Sequence, residues 1–156
     1  MLRFKFAFLA MLLMLCSLAA FADSPMMGTW KLNEAKSKFG PGETKNHTVS
    51  YTDAGNGMTK VTVDGTTPDG KSAHNEWTGK FDGKDYPVTG DSPAYDSRAY
   101  TVTNAKTMRM TLKKDGKTVG TGDIVVSADG KSRTVTTHVT NAAGKKVSST
   151  AVYDKQ

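Results

Sequence analysis

The chain reads as an all-β protein, an antiparallel up-and-down meander closed into a small barrel of eight to ten strands, with a two-sheet β-sandwich as the alternative. Three observations predict it. Turn signals recur at Asp69-Gly70-Lys71, Asp82-Gly83-Lys84, Asp115-Gly116-Lys117 and Asp129-Gly130-Lys131, and again at Gly55-Asn56-Gly57 and Ala143-Gly144-Lys145. Asp-Gly between alternating runs signals a hairpin, because a type I′ turn needs positive φ at both central residues. Between these turns, Thr- and Val-rich runs alternate with period two. Only residues 33–39 offer a helix, with Asn33 as its cap, Glu34 in its first turn and Gly40-Pro41-Gly42 at its end. Near-neighbour connections throughout favour the up-and-down barrel over a Greek key, which needs long crossovers.

The first 22 residues stand apart. Arg3 and Lys5 make a short basic start, residues 6–18 are almost wholly apolar, and Ala20-Phe21-Ala22 supplies the small residues that signal peptidase accepts. The apolar run is short for a transmembrane anchor. Residues 1–22 therefore read as a secretory signal peptide cut after Ala22. That leaves one domain, 23–156, periplasmic or extracellular and without a stable membrane anchor. Cys16 is the only cysteine, and the bulky Leu15 before it does not suit a lipobox. The mature chain thus has no disulfide to lean on. Loss of Arg3 and Lys5 lowers the net charge from +6 to +4. The charges are spread along the chain, with no basic stripe for nucleic acid. Asn46-His47-Thr48 is the sole glycosylation sequon.

In order, the predicted strands begin with residues 28–32. His47, Val49 and Tyr51 then share one face of a run, followed by Val61 and Val63. Ala73, Asn75, Trp77, Gly79 and Phe81 lie opposite His74, Glu76, Thr78 and Lys80. Arg98, Tyr100 and Val102 alternate with Ser97, Ala99 and Thr101, while Met108, Met110 and Leu112 face away from Arg109, Thr111 and Lys113. Later runs cover residues 119–126, 133–139 and 147–153. This gives eight clear strands and one or two doubtful ones. Tyr86-Pro87-Val88 is doubtful, since proline cannot donate to a ladder.

The opening run, Met27-Gly28-Thr29-Trp30-Lys31-Leu32, resembles the first strand of the calycin group, which comprises lipocalins, fatty-acid-binding proteins and avidins. The resemblance implies a lipocalin-like barrel with Trp30 plugging one end and Gly28 allowing a tight bend there. The short helical piece after it is more like the fatty-acid-binding proteins, although no paired-helix lid fits between Asn33 and Thr44. Lipocalins commonly carry an arginine near the last strand that stacks on the plug tryptophan, and residues 147–153 contain none. The whole mature chain is also similar to small exported bacterial proteins of unassigned function with a Trp-x-Leu-Asn opening.

No catalytic constellation stands out, and an enzyme is not expected. There is no Gly-x-Ser-x-Gly elbow and no thiol in the mature chain. His47, His74 and His138 fall on separate strands without ligand spacing, so neither a metal site nor a cofactor is expected. His47 alone shares its strand's apolar face, which leaves an axial haem ligand as a third reading. The first reading is a binding or carrier protein for a small apolar or amphipathic ligand. Its lining residues are Tyr51, Trp77, Phe81, Arg98, Tyr100, Met108, Met110 and Arg133. A secreted interaction or inhibitor module with a filled barrel is the alternative. Arg98 and Arg133 sit near the starts of their runs and are expected to snorkel to water; buried, either would suit a ligand carboxylate. The Trp77 N–H is expected to bond Asn75. The sequence does not fix ligand identity or oligomeric state.

Overall fold

A computed structural model describes residues 24–92, 94–140 and 144–156. The predicted signal peptide and its cleavage site lie outside the described residues. Ten antiparallel strands form one closed barrel: β1 (Gly28–Leu32), β2 (Lys45–Gly55), β3 (Met58–Thr66), β4 (Ser72–Gly79), β5 (Tyr86–Gly90), β6 (Ser97–Asn104), β7 (Thr107–Lys114), β8 (Lys117–Val126), β9 (Ser132–Thr140) and β10 (Lys146–Lys155). Each strand pairs with its sequence neighbours, and β1 closes the ring against β10 through Trp30↔Lys155 and Leu32↔Tyr153. The meander has taken the barrel route, and the sandwich alternative is set aside.

Period two decides which side chains enter. Val61 and Val63, Asn75 and Trp77, Met108, Met110 and Leu112, Ile124 and Val126, and Ala151 and Tyr153 all point inward and are buried, as alternation in a half-wet sheet requires. Val102 shares the parity of Tyr100 yet is 43% exposed, at the rim where a bulge follows in β6.

Three local readings need correction. The predicted helix shrinks to a 3-10 turn, Glu34–Lys36, with Asn33 accepting from the Lys36 amide at 3.3 Å. Beyond it Lys38 pairs with Thr150 of β10 in both directions, at 2.7 and 2.8 Å. That pairing holds the chain extended where a second helical turn would start. Tyr86-Pro87-Val88 is a strand after all, but its seam with β6 is thin: Tyr86↔Arg98 and Pro87↔Ser97 are its register pairs. The Asp-Gly turns are not all of one kind. Asn56-Gly57 and Asp115-Gly116 have positive φ at both residues, whereas at Asp69, Asp82 and Asp129 only the glycine does. There the aspartate carboxylates fasten the turn, as when Asp129 accepts from the Lys131 amide at 3.0 Å.

Antiparallel alternation gives the barrel two ends. At the entry end, Gly28 (φ +105) lets β1 start with Lys155 Cε lying 3.1 Å from where a Cβ would sit. At the other end, residues 37–44 form a strap that runs beside β10, where Lys38 pairs with Thr150 and Gly40 bonds Ser149, before entering β2.

Candidate functional site

Trp30 is buried near the end of the barrel where β1 begins. Its indole N–H donates to the Met26 carbonyl at 3.0 Å, and both residues are fully buried. The guanidinium of Arg133 lies 4.8 Å from the Trp30 ring centre and 4.9 Å from those of Tyr51 and Tyr153. An arginine thus lies on the Trp30 ring. It comes from β9, one strand earlier than the resemblance directed attention, because β9 and β10 enter the barrel side by side with Arg133↔Tyr153 in register.

Arg98 and Arg133 do not snorkel. They are 3% and 2% exposed, because both occupy inward positions and their side chains lie against interior aromatic rings. Arg98 Nη1 donates to the Tyr100 hydroxyl at 3.1 Å. Its Nη2 donates to Asn75 Oδ1 at 3.2 Å and to the Tyr95 hydroxyl at 2.8 Å. Every one of these acceptors is neutral. Nε of Arg98, and Nε and Nη1 of Arg133, have no hydrogen-bond partner among the described residues. The buried polar side chains are Thr59, Asn75, Arg98, Arg133 and Ser149, with no carboxylate among them. A buried charge without a partner is costly, and the interior holds two.

The neighbouring phenols do not supply counter-charges. Burial pushes the Tyr153 hydroxyl up to about 12 against the pull of Arg133, and burial likewise raises Tyr100 against Arg98. Burial by itself would lower the Arg98 pKa, but the Tyr100 and Tyr95 oxygens more than offset it. The Arg98 guanidinium therefore stays charged beside neutral hydroxyls.

The predicted lining residues divide. Trp77 stacks on Phe81 at 6.1 Å and meets Tyr86 and Tyr100 edge-on at 5.7 and 4.9 Å. Its N–H donates to the Arg98 carbonyl at 2.8 Å rather than to Asn75, whose amide is turned to Arg98. Met108 is fully buried, and Met110 packs where a side chain on Gly122 would otherwise go. These residues, with Tyr51, make a packed aromatic half of the barrel.

Open space lies elsewhere: a shallow surface depression of about 550 Å³ sits between Thr67, Asp69, Lys71, Ser72, Gly90 and Asp91, and a smaller, more enclosed space lies nearer the core. A cleft of about 70 Å³ sits under the strap, lined by Phe39, Glu43, Val135, Thr137, Ser149 and Tyr153 among others. The strap is tied down by the Gly40 amide, which donates to Ser149 Oγ and to Glu43 Oε2, each at 2.8 Å. Tyr153 joins cleft to core: its hydroxyl donates to the Asn46 carbonyl at 3.1 Å, while its ring lies on Arg133. Sequence reasoning passed over Tyr153, though it shares its parity with Val147 and Ala151. It also passed over Tyr95, which lies in a loop where no periodicity marks it.

The histidines do not converge. A bulge between Asn46 and Thr48 leaves His47 without a ladder position. Its ring therefore leaves the interior, 41% exposed, for Thr66 Oγ1 at 2.8 Å. That corrects the parity on which the axial-ligand reading stood. His74 bonds Asp64 at 2.6 Å, which raises its pKa, and His138 meets Ser148 at 2.8 Å. Among the described residues no group of three or more His, Cys, Asp or Glu side chains is placed to hold a metal ion.

No family model matches the chain, and no curated protein matches it. Solved structures do. One is described as "Structure of EF1p2_mFAP2b bound to DFHBI", with TM-score 0.46 and 15% identity over 85% of this chain and 94% of that one. Another is a redesigned β-barrel, mFAP1, bound to DFHBI, with TM-score 0.42 and 17% identity over 84% and 95%.

Proposed function

We propose that this chain is an exported, non-enzymatic binding or carrier protein, calycin-like in its barrel, for a small amphipathic molecule with an acidic group. The observation that carries the reading is Arg133, a buried guanidinium with two unpartnered nitrogens behind Tyr153 and next to the cleft. A ligand acid would give those N–H groups the charged acceptor they lack. Its apolar part would lie between Phe39, Val135 and Ala151. Pockets for drug-sized ligands run to roughly 300–1,000 Å³. The cleft, at about 70 Å³, therefore takes such a ligand only when the strap lifts.

The test is displacement of a fluorescent fatty acid from the mature protein, read in parallel from single-tryptophan variants. Binding with a change in Trp30 emission supports the reading, since Trp30 lies on Arg133. Arg133→Gln should abolish it. Export is tested separately: the N-terminus of secreted material should be Asp23.

A second reading, a filled barrel that acts through its outer surface, is favoured by the Trp77–Phe81–Tyr86–Tyr100 cluster, which leaves that half of the interior solid. It takes over if no apolar or acidic probe binds.

A further inference from the structure

Arg133 is not alone in the interior. Tyr51 lies against it at 4.9 Å, meets the Tyr100 ring edge-on at 6.4 Å, and is within electrostatic reach of Arg98 and Tyr153. Tyr95 bonds Arg98 and is felt by Tyr153 as well. The two guanidiniums and four phenols therefore form one polar centre, joined from Arg133 through the Tyr51 and Tyr100 rings to Arg98, with Tyr153 standing between it and the cleft.

The hydrogen-bonding inventory of that centre is lopsided. Each guanidinium brings five N–H donors and no acceptor, and each phenol brings one O–H. Against them stand Asn75 Oδ1, the Asn46 carbonyl and the phenol oxygens themselves. Two positive charges face no buried carboxylate among the described residues. The cleft's own acid, Glu43, is spent on the Gly40 amide of the strap.

We infer that the ligand's polar end carries two negative charges, as a phosphate monoester or a paired dicarboxylate does, and that Arg98 is the second anchor beside Arg133. This rests on the binding reading above and narrows it. One carboxylate would satisfy Arg133 and leave Arg98 Nε unpartnered with a net positive charge in the core. A dianion neutralises both guanidiniums, and its several oxygens accept from the surrounding hydroxyls without requiring a phenol to ionise.

Calorimetry at pH 8 decides it, using phenyl phosphate, phthalate, benzoate and inorganic phosphate with the full mature chain. At that pH a phosphate monoester is doubly charged. Phenyl phosphate and phthalate should bind at least about tenfold more tightly than benzoate, the worth of one added charged hydrogen-bonding partner. Arg98→Gln should remove the advantage of the two dianions over benzoate, whereas Arg133→Gln should weaken all three. Arg98→Lys, which keeps the charge and guards against a folding failure, should restore part of the difference. Equal affinity for benzoate and phthalate overturns the two-charge inference and leaves the carrier reading intact. Silence of all four probes together with the fluorescent fatty acid overturns both. Inorganic phosphate as tight as phenyl phosphate keeps the two charges but removes the amphipathic ligand.

Discussion

Arg133 is held by three aromatic faces, and its Nε and Nη1 meet no acceptor among the described residues. Cation–π contact is worth about 2 kcal/mol or somewhat more per desolvated pair, while the desolvation penalty for a buried ion is several kcal/mol. Three such contacts come to about the size of the penalty, and the unpartnered Nε and Nη1 tip the balance against the charge. Arg133→Met, which keeps the length and discards the charge, should therefore stabilise the protein by about 1–3 kcal/mol in urea titration while abolishing capture of acidic probes. A loss of stability would mean that the aromatic faces alone satisfy the guanidinium. Tyr153 makes a second prediction at the same scale. Its folded pKa of about 12 stands above the ordinary 10.0, so the folded form favours the proton. Stability is then fully present below pH 10 and is lost as pH climbs from about 10 to 12, by about 3 kcal/mol. Denaturation midpoints measured across that window should fall, and Tyr153→Phe should flatten the fall.

The strap beside β10 depends on Gly40 at an unusually close approach. A Cβ built there would sit 2.0 Å from Val147 Cγ1, so Gly40→Val should push residues 39–43 off β10 and break the bond to Ser149. The expected result is a loss of about 1–3 kcal/mol, faster hydrogen exchange at residue 40, and quicker ligand entry in stopped flow. Unchanged exchange would show that β10 yields instead. Strands of this kind were legible beforehand because alternation and glycine turns are local properties. The strap was not: its conformation comes from Lys38 bonding Thr150, far along the chain. The same holds for His47, whose expected inward face assumed an unbroken ladder, and a bulge leaves no mark in the parity. Parity put seven of the eight candidate residues on the buried side, with Phe81 half-buried, but Arg98 and Arg133 were expected to reach water, and none of the eight lines the cleft. Pattern gives the side of a sheet and says nothing about which interior side chains are large enough to fill their half.

At the scale of the whole barrel, closure rests on pairing between the first and last strands. Gln156 donates to the Thr29 carbonyl at 2.9 Å and Asn33 to the Val152 carbonyl at 2.8 Å, and Trp30 is covered by Lys155 at 5.1 Å. A chain ending at residue 145 should therefore lose its cooperative unfolding transition and the buried environment of Trp30, as near-ultraviolet circular dichroism would record. A sharp transition in that truncated chain would show that β1 to β9 close on their own.

That arrangement also sets a schedule. On the ribosome, or in any pore that passes the chain from its N-terminus, β1 emerges early and its β10-facing edge has no partner until the C-terminal strand follows. Pairing over such a distance in sequence is slow to form, and the open edge delays closure of the ring. The final strand thus sets the order of events: neighbouring hairpins can pair as they appear, and the ring closes only when β10 reaches β1.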